Sequence, residues 1–165
     1  MKRVSGAAII LALILMSWWW FSPTQIIKRR VASLIDTVQV PTGMSEIGRK
    51  SRGAHLADHL AASLEIHPPK HFFQTLPASL KRDSAAAGYA FFATTVRRIS
   101  LEDLEFDQID RDGNRAHVVF HLDAIVEMPS VTPVDGILHF DTQWILDPDL
   151  GWVMRSIQWH QTGRQ

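Results

Sequence analysis

Two groups of side chains have the types and spacing to do chemistry. His55 and His59 stand four residues apart in His55-Leu56-Ala57-Asp58-His59. On a helix that spacing puts both imidazoles on one face, where they could begin a zinc site. The string lacks the Glu of H-E-x-x-H. It approximates the inverted form H-x-x-E-H, with Asp58 in place of Glu and so a shorter arm. Two ligands fall short of the three that a catalytic zinc site takes. The pair therefore reads as helix histidines flanking a buried Leu56, and no metal is expected.

The second group is His117, His121 and Asp123 on one strand-like segment, with His139 and Asp141 on the next. All five alternate with apolar residues, so they share the outer face of a sheet. A turn over Asp110–Asn114 that sets Phe106 beside Val118 would place Asp107 opposite His117 and Asp103 opposite His121. Asp123 would fall across from Asp141, with His139 nearby. His beside carboxylate is a favourable cross-strand pair, whereas Asp beside Asp needs a cation or a partner. The plain reading is a set of solvated pairs; the functional one is an interaction face that responds to pH through its histidines. The chain has no Cys, which removes disulfides, thiolate metal sites and Cys nucleophiles. No cofactor-binding motif is present, and no cofactor is expected.

The elements that must position these residues are legible in outline. Ser22-Pro23-Thr24-Gln25 reads as a capped helix start. Ile26, Ile27, Val31, Leu34, Ile35 and Val38 continue it with helical spacing, and Val40–Gly43 ends it. A second helix is expected from Ser45 to about Leu60, with Ala61–Ile66 as helix or short strand. His67-Pro68-Pro69 breaks the pattern, and Phe72, Phe73 and Leu76 are expected to plug one end of the core. Pro77 opens a third helix to about Arg98, Ala-rich enough to pack closely on a sheet. The remainder is strand-like. Ala116, Val118, Phe120, Leu122, Ala124, Val126 and Met128 form one apolar face, and Leu138, Phe140, Thr142, Trp144 and Leu146 repeat it. Turns at Asp110–Asn114 and Asp147–Gly151 and a longer loop at Pro129–Asp135 join the strands. Helices followed by an antiparallel meander indicate an α+β domain, its helices on one face of a curved sheet.

Residues Val4 to Phe21 form an apolar run without a charge, closed by Trp18, Trp19 and Trp20. The run is long enough for a slightly short transmembrane helix, with the Trp cluster at headgroup level. Signal cleavage needs small residues. Ser17 to Ser22 is bulky there, which favours an uncleaved anchor over residues 1–22 and a domain over residues 23–165. Lys2 and Arg3 favour a cytoplasmic N-terminus, while Lys28, Arg29 and Arg30 pull the other way. If those three lie on a folded helix, the domain faces outward from a bacterial inner membrane, on the periplasmic side. Residues 23–98 carry eleven Lys and Arg against five Asp and Glu, and residues 99–165 four against twelve. A basic helical layer over an acidic sheet explains the split. The basic residues are scattered and form no recognition motif, so no nucleic-acid partner is expected.

The segment Ala85–Trp159 resembles the nuclear transport factor 2-like (SnoaL-like) superfamily. The likeness rests on a long third helix, the pattern D-x-x-G-N-R-A-x-V at Asp110–Val118, and G-W-x-x-x-x-I at Gly151–Ile157. Arg52–Ile66 resembles that superfamily's second helix running into its first strand. The resemblance implies a cystatin-like cone, a curved antiparallel sheet and three helices enclosing a pocket. It implies Glu65, His67 and Tyr89 as catalytic candidates, and Tyr89, Phe91, Phe120 and Trp144 as pocket lining. It also implies a homodimer through the outer sheet face. The inward strand positions supply only apolar groups and Thr142, whereas proton transfer needs a titratable group within reach. The expectation is thus a membrane-anchored, non-catalytic module that binds an envelope protein, itself or a small apolar ligand. The alternative is an isomerase, cyclase or dehydratase acting on a small apolar molecule in the cone.

Overall fold

The computed structural model describes residues 16, 18, 20–69, 77–129 and 132–163. Most of the expected anchor, Val4 to Phe21, and the expected plug of Phe72, Phe73 and Leu76 lie outside the described residues. Among the described residues, no helix is long and apolar enough to cross a membrane.

Helix α1 spans Pro23–Val38. The Ser22 side chain accepts a hydrogen bond from the Gln25 N–H at 3.4 Å, and Pro23 occupies the first helical position, where no donor is needed. Ile27, Val31 and Leu34 form its buried stripe. Arg30 ties the helix to the sheet by donating to the carbonyls of Asp58, Leu150 and Trp152. Arg29 lies over the Trp20 ring at 4.7 Å and donates to the Trp20 carbonyl at 2.9 Å. Lys28 stands 5.2 Å from the Phe106 ring. All three cations thus lie on this helix and make contacts with it or its surroundings.

Helix α2, Glu46–Ala57, is capped by Ser45 and stops three residues short of the expected Leu60. Strand β1, Leu60–His67, follows at once and resolves the helix-or-strand ambiguity in favour of strand. Helix α3 covers Arg82–Thr95 rather than starting at Pro77, because Ser79–Lys81 first form a short strand, β2, on the edge of β1. The two helices pack at Gly53. A Cβ there would lie 2.6 Å from the Ala86 carbonyl oxygen and 2.7 Å from the Ala90 Cβ. Arg49 then crosses to the end of α3 and donates to the carbonyls of Ala93 and Val96. Those carbonyls lack intrahelical partners, so a cation there satisfies them and opposes the helix dipole.

Strands β3 (Arg98–Asp112), β4 (Arg115–Glu127), β5 (Val134–Asp147) and β6 (Gly151–Thr162) complete a six-stranded sheet ordered β2-β1-β6-β5-β4-β3. Every neighbouring pair is antiparallel except β1 and β6, which run parallel. Register breaks interrupt β1, β3 and the β5–β6 pairing. Such bulges bend a strand and raise its twist, and here they curl the sheet around α1. Asp103, in the break between Glu102 and Glu105, takes a left-handed φ of 52°. The inward residues of β4, from Ala116 to Ala124, are all buried and meet α1 in one core.

The outer-face register differs from the expectation. Gly113 and Asn114 make a two-residue turn, so Asp112 pairs with Arg115. The expected register, with Phe106 beside Val118, needs a wider turn within Asp110–Asn114. The turn places Asp110 opposite His117, and the bulge between Phe106 and Gln108 then sets Phe106 beside Phe120 and Glu105 opposite His121. On the other side Asp123 faces Ile137, not Asp141, and Asp141 faces Val119.

Candidate functional site

Between the sheet and the helices lies a cavity of about 540 Å³. Helix α3 forms one wall with the stripe Ser84, Ala85, Gly88, Tyr89 and Phe92, spaced as one helical face. Ser84 and Gly88 are exposed, so the cavity opens along this helix. The opposite wall comes from the inner faces of the strands, including Leu64, Phe120 and Phe140. Phe120 and Phe140 stack at 5.0 Å between centroids, 19° between planes. Of the lining side chains only those of Ser84 and Tyr89 carry a polar atom.

Tyr89 is where the resemblance placed it, on the wall, but its hydroxyl donates to the Val38 carbonyl at 2.7 Å. Burial, only partly offset by the Arg52 guanidinium, pushes this phenol up to about 12. A Tyr so placed is a poor proton donor near neutrality. Phe120 lines the cavity and is 2 % exposed. Trp144 is fully buried but stands outside the lining. Its indole N–H donates to the Thr142 hydroxyl at 2.9 Å, which donates to the Val118 carbonyl at 2.8 Å. Phe91 is 72 % exposed and points away, because α3 turns Phe92 and not Phe91 inward.

Glu65 and His67 also fall outside. Leu64 and Ile66 take the inward positions of β1, so alternation sends Glu65 and His67 to the other face. There Glu65 meets Arg155 at 3.6 Å, and His67 is exposed. His55 and His59 do not make a helical pair either. Helix α2 ends at Ala57, leaving His55 exposed and carrying His59 into the interior, 4 % exposed. The His59 Nε2 lies 3.5 Å from the Ser33 and Thr37 hydroxyls, while its Nδ1 has no hydrogen-bond partner. Burial and then the Arg30 guanidinium hold this imidazole down to about 4, with Asp58 pulling the other way.

The outer sheet face does gather histidines and carboxylates, in a different pairing. His117 Nε2 lies 2.8 Å from Asp141, reached diagonally. His121 Nδ1 lies 3.0 and 3.1 Å from the two oxygens of Asp107. Its Nε2 is 3.6 Å from Glu105. The hydrogen bond to Asp107 holds the His121 imidazole above its usual range, with Glu105 and Asp123 adding to the effect. His139 is the direct partner of His121, their rings 5.4 Å apart. On its other side His160 stacks on His139 at 4.8 Å, 6° from parallel. Glu105 and His160 join this face without having been expected there. Alternation along β6 could have found His160. Ser84 and Gly88 of the cavity were missed too, although their spacing on an Ala-rich helix is the signal of a face kept thin.

A curved sheet closed by helices over an apolar, open-ended cavity defines a cone-shaped α+β fold. It is the nuclear transport factor 2-like fold, as solved structures show. A nuclear transport factor 2-like superfamily protein from Salmonella enterica superposes with a TM-score of 0.56 at 13 % identity, covering 85 % of this chain and 91 % of its own. A nuclear transport factor 2-like protein from Cytophaga hutchinsonii gives 0.60 at 12 %, covering 86 % and 100 %. A ketosteroid isomerase-like protein from Erwinia carotovora gives 0.60 at 9 %, covering 84 % and 95 %. No family model matches the sequence, and no curated protein matches it. At these identities the likeness is one of fold.

Proposed function

We propose that this chain is a membrane-tethered, non-catalytic module that binds a small apolar molecule in its cone. The observation that carries the reading is the cavity lining: about 540 Å³ with no carboxylate, imidazole or amine among the described residues. Apolar enclosures of a few hundred Å³ with few polar groups suit small ligands. Catalysis by proton transfer needs an acid or base there. Glu65 and His67 face away, and the Tyr89 hydroxyl is held by a backbone carbonyl. The tether is Val4 to Phe21, whose apolar run and Trp cluster suit a bilayer span, with the domain on the periplasmic side of a bacterial inner membrane. A small apolar ligand partitions into lipid, so a domain close to the bilayer meets it where it is concentrated.

The test is extraction of the full-length chain, purified in mild detergent from native membranes, followed by mass spectrometry of the organic phase. One apolar compound enriched in molar proportion to the protein supports the reading. A reporter active only in the periplasm, fused after Gln165, checks orientation; silence from it overturns that part. A second reading, an isomerase-type enzyme, draws on the one polar aromatic in the wall. It requires that Tyr89→Phe abolish turnover of the extracted compound, which the binding reading does not.

A further inference from the structure

The outer sheet face carries an arrangement that the cavity does not use. We propose that Asp107, His121 and His139 form a site for one divalent transition-metal cation of the zinc class. One ligand atom from each of the three lies within 4.8 Å of the others. The placement comes from the register. His121 and His139 are direct cross-strand partners, and the bulge between Phe106 and Gln108 turns Asp107 onto His121.

The geometry is close to what a cation needs. Tetrahedral bonds of about 2.1 Å put ligand atoms roughly 3.4 Å apart. The Asp107–His121 contact already lies inside that distance, at 3.0 Å. His139 has to close the remaining gap by rotation about its side-chain torsions, which binding of the ion would drive. The ring of His160, stacked flat on His139, limits the planes that His139 can take. Glu105, 3.6 Å from the His121 Nε2, adds negative charge beside the site. Asp107 is 43 % exposed and His121 27 %, so a hydrated ion reaches them without unfolding the sheet.

The donor set selects the class. Two imidazoles and one carboxylate suit Zn²⁺, Co²⁺, Ni²⁺ or Cu²⁺, whereas Mg²⁺ and Ca²⁺ favour oxygen ligands throughout. Three protein ligands leave a fourth position for water or for a group from another molecule. The His55 and His59 pair offers no rival, because one ring is exposed and the other sealed in the interior.

The test uses the tag-free, full-length chain in detergent micelles, titrated with Zn²⁺ by calorimetry and with Co²⁺ by visible absorption. The expected result is an endpoint at one metal per chain. His121→Ala and His139→Ala should each weaken binding by about 100-fold or more, since changes to outer partners alone cost about 10–100-fold. Asp107→Asn should weaken it in the same direction, and His55→Ala should leave it unchanged. Circular dichroism checks folding. If an alanine variant unfolds, His121→Gln and His139→Gln keep the side-chain volume and should show the same loss. Absence of saturable binding overturns the proposal, as does full affinity in the His121 and His139 variants or its loss in His55→Ala.

Discussion

Acid should destabilise this domain through one buried ring. His59 is 4 % exposed, and burial holds its imidazole down to about 4. In the unfolded chain it takes a proton near the ordinary His value of about 6.5. The folded state therefore binds fewer protons than the unfolded state between those limits. The stability contributed by neutral His59 is complete above about pH 6.5 and is lost as pH falls toward about 4. A gap of about 2.5 pH units corresponds to roughly 3 kcal/mol, an upper value for a ring that can relax toward solvent. The assay is denaturant unfolding of the full-length chain in detergent, wild type against His59→Gln, at neutral pH and at about pH 4. Carboxylates and exposed histidines titrate alike in both proteins, so they cancel. Wild type should lose roughly 2–3 kcal/mol more than the variant over that range. Parallel losses in the two proteins would mean that His59 takes up its proton as readily folded as unfolded, and that it is not the acid-sensitive group.

Other predictions follow from single contacts. Gly53→Ala forces a Cβ to within 2.7 Å of Ala90 and closer to the Ala86 carbonyl, so α2 and α3 must separate. Despite better helix propensity it should cost about 1–3 kcal/mol, read as a lower melting temperature. Arg49→Met strips the end of α3 of its donors to Ala93 and Val96. The loss should be about 1–3 kcal/mol, with faster amide exchange confined to the last turn of α3. Tyr89→Phe removes the donor to Val38 and should cost about 1–2 kcal/mol in thermal or denaturant unfolding.

The capped start of α1 and the long alternation of β4 were legible because each is local. Ser22 and Pro23 act within one turn, and the apolar residues from Ala116 to Ala124 share a face whatever pairs with them. The α+β class followed from those patterns. The register of the outer face did not. Asp103 takes a left-handed conformation without being Gly, and two bulges in β3 each shift the pairing by a residue. Hydrophobic alternation carries no mark of either. The short strand Ser79–Lys81 exists only because β1 offers it an edge, so no pattern of its own announces it. The candidate site was half visible. Tyr89 and Phe120 stand on the cavity wall, while Glu65, a candidate only through the family resemblance, meets Arg155 on the other face of the sheet. His59 looked like a helix-face histidine until the helix ended two residues before it.

If the cone is an open apolar container, Gly88 is the place to block it. It lines the cavity, and a Cβ added there meets nothing within 4 Å. Gly88→Phe therefore starts its side chain without a clash at Cβ, should put a ring into the cavity from α3, and should hold or raise the melting temperature through better helix propensity. The measurement is saturable binding of an anthracene-type fluorophore to the full-length wild type and to this variant in the same detergent, where the micelle background is common to both. Wild type should show one saturable site, and folded Gly88→Phe should lose it. Equal binding by the two proteins would contradict it.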